Sequence, residues 1–292
     1  MKEAEINAIA VLVACYNRKQ KTIAFLESLS AQSFFQENSV DIYLLDDGST
    51  DGTSSAVKEQ FPFVNILTES GGLYWVIAMI KVWEHAMSIK SYDLFCLVND
   101  DVLFFKDSFE RLMKNFKQQQ SNNGTILVGS TQDPTTKILS YGGYTLNNIK
   151  YSKYSSVIPD KHVSLPCHLG NANFMLVDAI TVKKIGIFFP YIHKFADFDY
   201  TFTACKAGVN VLVAPGYYGY CEYDHGNNWL SGDRPLKERI NYLYSVKGLS
   251  YKDQLIYIKR NFPAGLVTSV IKLWMKTFFP IFWDKFKRRD SN

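Results

Sequence analysis

Short apolar runs alternate with helical stretches over the first 100 residues, and this alternation narrows the fold more than any other feature of the chain. Ala8–Cys15 is short and partly β-branched, ends at Tyr16-Asn17-Arg18, and reads as a buried parallel strand. Thr22–Ala31 then sets Ile23, Leu26 and Leu29 on one helical face. A second strand, Asp41–Leu45, runs into Asp46-Asp47-Gly48-Ser49-Thr50-Asp51-Gly52, and Thr53–Gln60 follows as a helix with Thr53 or Ser54 as its expected N-cap. Val64–Thr68 is a third strand, and residues 75–89 form a helix carrying Ile80, Val82, Trp83 and Met87. The fourth strand, Tyr92–Val98, closes on Asn99-Asp100-Asp101. Such alternation predicts an α/β fold with a central, mostly parallel sheet. Ligands of these sheets bind off the carboxyl ends of the strands, where both Asp-rich stretches fall.

The chain changes character after residue 120. Residues 121–165 are rich in Ser, Asn, Gly, Thr and Tyr and predict antiparallel strands and loops. Residues 173–186 read as a strand and a helix stopped by Gly186; residues 196–207 form a helix stopped by Gly208, and Val209–Ala214 a last strand. A net charge of +4 is too mild to announce a nucleic-acid binder by itself, and none is expected as a partner. Five widely spaced cysteines without a CxxC pair argue against a disulfide framework or structural zinc and fit a reducing, cytoplasmic setting. The amino terminus lacks the basic start of a signal peptide, and no run of 18 apolar residues suits a membrane span.

Five stretches carry possible chemistry. Asp46 and Asp47 ahead of Gly48 suit hydrogen bonds from a ribose or a base, or else an Asx-turn before a helix. Asp100 and Asp101 close an apolar strand, as a divalent cation shared with substrate phosphates requires; a plain strand terminator has the same look. Asp197 and Asp199, two apart, cannot share a helical face; one suits a general base, the other an orienting or capping role. His225, before Gly226, suits a metal or a phosphate, though a lone loop histidine is more often solvated. Gly71-Gly72-Leu73-Tyr74-Trp75 allows close backbone approach and ring stacking, or anchors a loop to the core.

In this order and spacing, the stretches resemble the family 2 glycosyltransferases of GT-A fold over roughly residues 8–230, and bacterial surface-polysaccharide and rhamnosyltransferase-like members in particular. The likeness lies in Cys15-Tyr16-Asn17-Arg18, Asp46-Asp47-Gly48-Ser49-Thr50-Asp51, Val98-Asn99-Asp100-Asp101, Gly170-Asn171-Ala172-Asn173-Phe174, Phe195-Ala196-Asp197-Phe198-Asp199 and Leu73-Tyr74-Trp75. It implies an inverting transferase that takes a sugar from a UDP- or dTDP-sugar to a hydroxyl of a glycan or lipid-linked acceptor in surface-polysaccharide synthesis. The donor residues it implies are Cys15, Asn17, Arg18, Asp46, Asp47, Trp75 and Asp100. Asp101 and His225 would hold Mg²⁺ or Mn²⁺, and Asp197, with Asp199 beside it, would be catalytic. Asn99 and Ala196 replace acids that the family often carries, which leaves a second reading, a binding homologue without turnover. A dinucleotide-dependent oxidoreductase is disfavoured because no GxGxxG follows the first strand.

Residues 1–230 are thus expected to form the catalytic domain and residues 231–292 a helical, basic extension. Within it, Val267, Val270, Ile271, Trp274 and Phe278 fall on one helical face, with Thr268, Lys272 and Lys276 on another. Residues 259–289 carry eight Lys or Arg against one Asp, ending in Lys285, Lys287, Arg288 and Arg289. That pattern predicts a peripheral helix on the anionic inner face of the cell membrane, or else a packed helix with a solvated end.

Overall fold

The computed structural model describes residues 6–150, 152–223 and 229–286. The amino-terminal half comprises β1 (Ile9–Cys15), α1 (Lys19–Ser30), α2 (Phe34–Glu37), β2 (Val40–Asp46), α3 (Thr53–Gln60), β3 (Val64–Thr68), α4 (Tyr74–Ile89), β4 (Leu94–Val98), β5 (Leu103–Phe104) and α5 (Ser108–Gln119). Then come β6 (Thr125–Gln132), β7 (Leu139–Tyr141), β8 (Gly143–Asn148), β9 (Lys153–Ser156), β10 (Leu165–Pro166), β11 (Leu169–Gly170) and β12 (Phe174–Asp178). The last elements are α6 (Ala179–Ile185), α7 (Ala196–Lys206), β13 (Asn210–Tyr220), α8 (Leu236–Tyr244), α9 (Tyr251–Asn261), α10 (Leu266–Phe278) and α11 (Ile281–Phe286).

The main sheet has the order β10-β13-β6-β12-β4-β1-β2-β3, with β5 on β13 and β7 on β6. β4, β1, β2 and β3 run parallel. β1 is buried at every position, which is why its sequence is apolar without interruption. Alternate side chains of β1 feed two cores. Ala10, Leu12 and Ala14 meet Val76, Met79, Val82 and Trp83 of α4. Ile9, Val11 and Val13 meet Phe25, Leu26 and Leu29 of α1 and Phe109, Leu112 and Phe116 of α5. The spacing of the buried residues on α4 is that of one helical face, and Trp83 at its centre is fully buried.

β12 is antiparallel to both β4 and β6, so its beginning lies at the carboxyl edge of β4. β8, β9 and β11 form a separate three-stranded sheet above that edge. The expected end of the last strand at Ala214 is surpassed: β13 continues to Tyr220 through a register shift at Pro215-Gly216, where Gly216 takes a positive φ of 75°. A bulge accommodates what reads in sequence as a stop. The expected N-cap of α3 also moves: Gly52, at φ 82°, holds that place, and the Asp51 carboxylate accepts from the Thr53 amide and hydroxyl.

The expected division at residue 230 does not separate two cores, because Tyr257, Ile258 and Phe262 of the α9 segment join the core of Trp83 and Tyr200. Asp253, fully buried on α9, accepts from the backbone amides of Ile192, His193 and Lys194 and so fixes the segment leading into α7. A small cluster of Leu243, Leu249 and Leu273 ties α8, α9 and α10 together. On α10 the inward face is Leu273, Lys276 and Thr277. The outward one carries Val267 and Ile271, 69% and 56% exposed, and Phe278. Trp274 stacks on Phe278 and abuts Tyr244 and Tyr251. Among the described residues no helix is long and apolar enough to cross a membrane.

Candidate active site

The loops at the carboxyl ends of β1, β2 and β4 are bonded to one another. Asn17, at φ 50°, donates its amide to Ser49 Oγ (2.8 Å) and accepts from the Thr50 amide (2.7 Å), which joins the first loop to the second. Asp46 is buried and caps its own turn, accepting from the Ser49 amide at 2.8 Å and from the Ser54 hydroxyl. Asp47 is also buried and accepts from the amides of Leu73 (2.9 Å) and Tyr74 (3.2 Å) at the start of α4. Gly48 lies between them because a Cβ there would stand 2.6 Å from the Gly71 nitrogen. The Cys15 carbonyl accepts from the Asp47 amide. Strand alternation turns its side chain into the core under α1, away from the crevice, and burial raises its thiol pKa.

The acid pair after β4 is held by Arg18. Its Nη1 lies 2.9 Å from Asp100 Oδ1 and its Nη2 2.5 Å from Asp101 Oδ2. Asp100 is nearly buried and also accepts from Thr22 Oγ1 at 3.1 Å; burial, opposed by Arg18 and reinforced by Asp101, pushes its carboxyl up to about 6. Asp101 is the more open of the two, and its Oδ1 faces the Cys221 thiol at 3.5 Å. Asn99 does not join them: its Oδ1 accepts from the Trp75 indole at 2.9 Å, and that ring packs on Phe188. Trp75 is thereby fixed between Asn99 and Phe188.

β12 brings the third element. Asn99 donates its amide to the Asn173 carbonyl, and Asn173 Nδ2 reaches the Cys221 sulfur. Two residues earlier, Asn171 Nδ2 donates to Asp197 Oδ2 at 3.3 Å while its Oδ1 accepts from the Tyr144 hydroxyl at 3.0 Å. The Ala172 and Phe198 amides complete the hold on Asp197. Burial raises the Asp197 carboxyl above the ordinary carboxylate range, against these hydrogen bonds, which lower it. One short segment, 171–173, thus touches both the acid pair's surroundings and Asp197. Tyr144, Tyr154 and Phe198 pack ring on ring beside it.

Asp199 lies apart from this group. Two residues on a helix are about 200° apart, so the carboxylate that follows Asp197 turns toward α9, where it accepts from Arg260 (3.3 Å) and Asn261. The expected catalytic pair is therefore divided: Asp197 is held by Asn171, Ala172 and Phe198, and Asp199 ties α7 to α9. His225 lies outside the described residues. Sequence reasoning leaves Thr22, Tyr144, Asn171, Asn173 and Cys221 unassigned. The signal available for two of them is the pair of amides either side of Ala172, just before the apolar run of β12.

Among the described residues no three His, Cys, Asp or Glu side chains group as a complete metal cage. The oxygens of Asp100 and Asp101 nonetheless converge on one cationic centre, the Arg18 guanidinium. A hard divalent cation held by one carboxylate and completed by substrate phosphate oxygens suits such a donor set.

A family model described as "Glycosyl transferase family 2" matches residues 10–170. Among solved structures, the mannosyltransferase PcManGT from Pyrobaculum calidifontis, in complex with GDP-Man and Mn2+, is similar with a TM-score of 0.54 at 13% identity, over 90% of this chain and 70% of that one. S. aureus TarS 1–349 is similar with a TM-score of 0.55 at 13% identity, over 97% and 76%. The same fragment in complex with UDP-GlcNAc gives 0.54 at 15% identity, with the same coverage. No curated protein sequence matches. The central sheet and the layers around it are those of the GT-A fold.

Proposed function

The chain belongs to glycosyl transferase family 2, and we propose that it transfers a sugar, with inversion, from a nucleoside diphosphate donor to a hydroxyl of a glycan or lipid-linked acceptor. The observation that supports this reading is the segment 171–173, which bonds Asp197 through Asn171 and Ala172 and meets Cys221, the neighbour of Asp101, through Asn173.

Asp197 is the general base. Its raised pKa makes it a better proton acceptor once ionised, and Asn171 and Ala172 orient the oxygen that takes the proton. The acceptor oxygen bonds to the anomeric carbon as the bond from that carbon to the diphosphate oxygen breaks. The acceptor proton passes to Asp197, and the nucleoside diphosphate leaves with the electron pair. No covalent enzyme intermediate is required. Asn17, Asp46, Asp47 and Trp75 shape the nucleoside end, with the donor a UDP- or dTDP-sugar. Asp101 would hold Mg²⁺ or Mn²⁺ with the diphosphate oxygens; a bound divalent cation offsets charge on the leaving group. The departures at Asn99 and Ala196 have packing reasons: Asn99 anchors Trp75, and Ala196 is fully buried.

Residues 1–230 carry the chemistry in this reading, and residues 231–292 form an extension that braces α7 and meets anionic lipid through the exposed face of α10 and α11. Phe279, Ile281 and Phe282 continue that face, with Lys285 beside them. A peripheral position on the inner face of the cell membrane would place the crevice near a lipid-linked acceptor in surface-polysaccharide synthesis. The test is nucleotide release from a panel of UDP-, dTDP- and GDP-sugars with and without Mn²⁺, in the natural chain and in Asp101→Asn. Release that depends on the cation and falls in the variant supports the reading; no release from any donor with any acceptor preparation overturns it.

A further inference from the structure

Arg18 bridges Asp100 and Asp101 through two separate nitrogens, and that contact has a consequence for how the site fills. Two adjacent carboxylates at the edge of a protein interior need a counter-charge. The side chain of Asp100 is only 3% exposed and that of Asp101 18%, whereas that of Arg18 is 38% exposed. The cation is thus the outermost and most movable member of the trio. Its backbone sits at the entry to α1, with non-helical dihedrals, so the long side chain alone reaches the pair. Lys21, about one turn further on, pairs with Glu222 at 2.7 Å, whereas Arg18 is the side chain that contacts both acids.

The Arg18 guanidinium, 2.5 Å from Asp101 Oδ2, already neutralises that carboxylate and would stand beside a divalent cation bound to it. Two cationic centres on one carboxylate repel, so Arg18 in this position opposes the metal. A diphosphate arriving in the crevice offers the guanidinium a second anionic partner of suitable planar geometry.

Building on the glycosyltransferase reading, we propose that Arg18 is a resident counter-ion that occupies the acid pair before the donor arrives and moves to the donor's diphosphate as the divalent cation takes its place. Cation and diphosphate then bind cooperatively, and each raises the affinity for the other by the same factor. The free protein binds the cation poorly because Arg18 must first be displaced.

The experiment titrates Mn²⁺ alone into the full chain and reads free Mn²⁺ by electron paramagnetic resonance. Arg18→Gln is expected to bind Mn²⁺ on the order of 10-fold more tightly than the natural chain, within the usual coupling range of about 5–150-fold. Adding Asp101→Asn to Arg18→Gln should abolish the gain. Mn²⁺ should also raise the melting temperature of Arg18→Gln and leave that of the natural chain nearly unmoved. Equal Mn²⁺ affinity in the two proteins, or a gain that survives Asp101→Asn, overturns the exchange. Should Arg18→Gln fail to fold, Arg18→Met, which keeps an unbranched stem but removes the charge, is titrated the same way; tighter Mn²⁺ binding supports the exchange and unchanged binding overturns it. These readings use no sugar donor, so they stand or fall separately from the release assay that tests the glycosyltransferase reading.

Discussion

The crevice has two sides built by different means. On the β1, β2 and β4 side, each loop is a few residues long, and its polar groups are bound by the loop itself or by the next one, as Asp46 is by Ser49 and Asn17 by Thr50. On the Asp197 side, only the Phe198 amide is local. Asp197 is held by Asn171, Asn171 by Tyr144, and the approach to α7 by Asp253, each from a distant part of the chain. A parallel sheet supplies the first side as a by-product of its strand ends. The second exists only when β8, β12, α7 and α9 are all in place. Damage on the first side should change binding with little effect on the fold; damage on the second should change catalysis or stability.

The sharpest separation comes from Asp197→Asn. Turnover should fall by roughly 10²–10⁴-fold, the usual worth of a general base. Donor binding and melting temperature should stay near their original values, because the amide keeps an acceptor for Asn171. Single-turnover kinetics with calorimetry of the nucleotide would show it; donor affinity lost together with turnover would erase the distinction between the two sides.

Asp199→Asn should do the opposite. The carboxylate is buried, and its partner Arg260 is partly solvated, so the loss is set between a neutral hydrogen bond and a buried pair, about 1–3 kcal/mol. The expected outcome is a lower melting point and a lower denaturation midpoint, with turnover per folded molecule largely kept. A larger loss of turnover than in Asp197→Asn would reverse the assignment of the base.

The same contrast explains what the sequence reveals. Strand ends of the parallel half are legible because burial on both faces demands continuous apolar runs, and the acids that follow stand out; β3 and α3 have their expected bounds. Asp197 and Asp199 are legible as a pair, but their spacing says only that they diverge, and which one faces the crevice depends on α9. Arg18 stands 82 residues from Asp100, so its bridge is a property of the sheet order and of no local pattern. Cys15 shares the face of Ile9, Val11 and Val13, so alternation along β1 already sets its side chain on the α1 side. The bulge in β13 hides behind Pro215-Gly216, which reads in sequence as punctuation.

A smaller effect sharpens the comparison through pH. Asp197 must be ionised to accept a proton. Burial raises its pKa, so the acidic limb of kcat/KM should lie above the range of an ordinary aspartate. Asn171→Ala removes a hydrogen bond that favours the charged form; the pKa rises further, and the limb moves to higher pH while activity on the plateau falls modestly. A pH–rate profile of both proteins is the measurement. An unmoved limb in Asn171→Ala would mean that Asn171 has no hold on the titrating group.

The smallest expected effect lies at the C-terminal extension, which has two faces. Its inward residues, Asp253, Arg260 and Asn261, brace α7; its outward residues, Val267, Ile271 and Phe282, contact no core of this chain and stand more than half exposed. A membrane would cover the outward set without disturbing the inward one. Each nearby Lys or Arg adds about 1 kcal/mol of attraction to an anionic surface, and salt screens it. Apolar insertion adds about 25 cal/mol per Å² of surface covered. Ile271→Ser combined with Phe282→Ser should therefore lower co-sedimentation with vesicles containing anionic lipid by several-fold, while melting temperature and nucleotide release from a soluble acceptor remain as they were. Neutral vesicles should retain little of either protein. Equal retention of the natural chain and the double variant on anionic vesicles would leave the exposed face without a lipid role, and the extension would then be a brace for Asp197 alone.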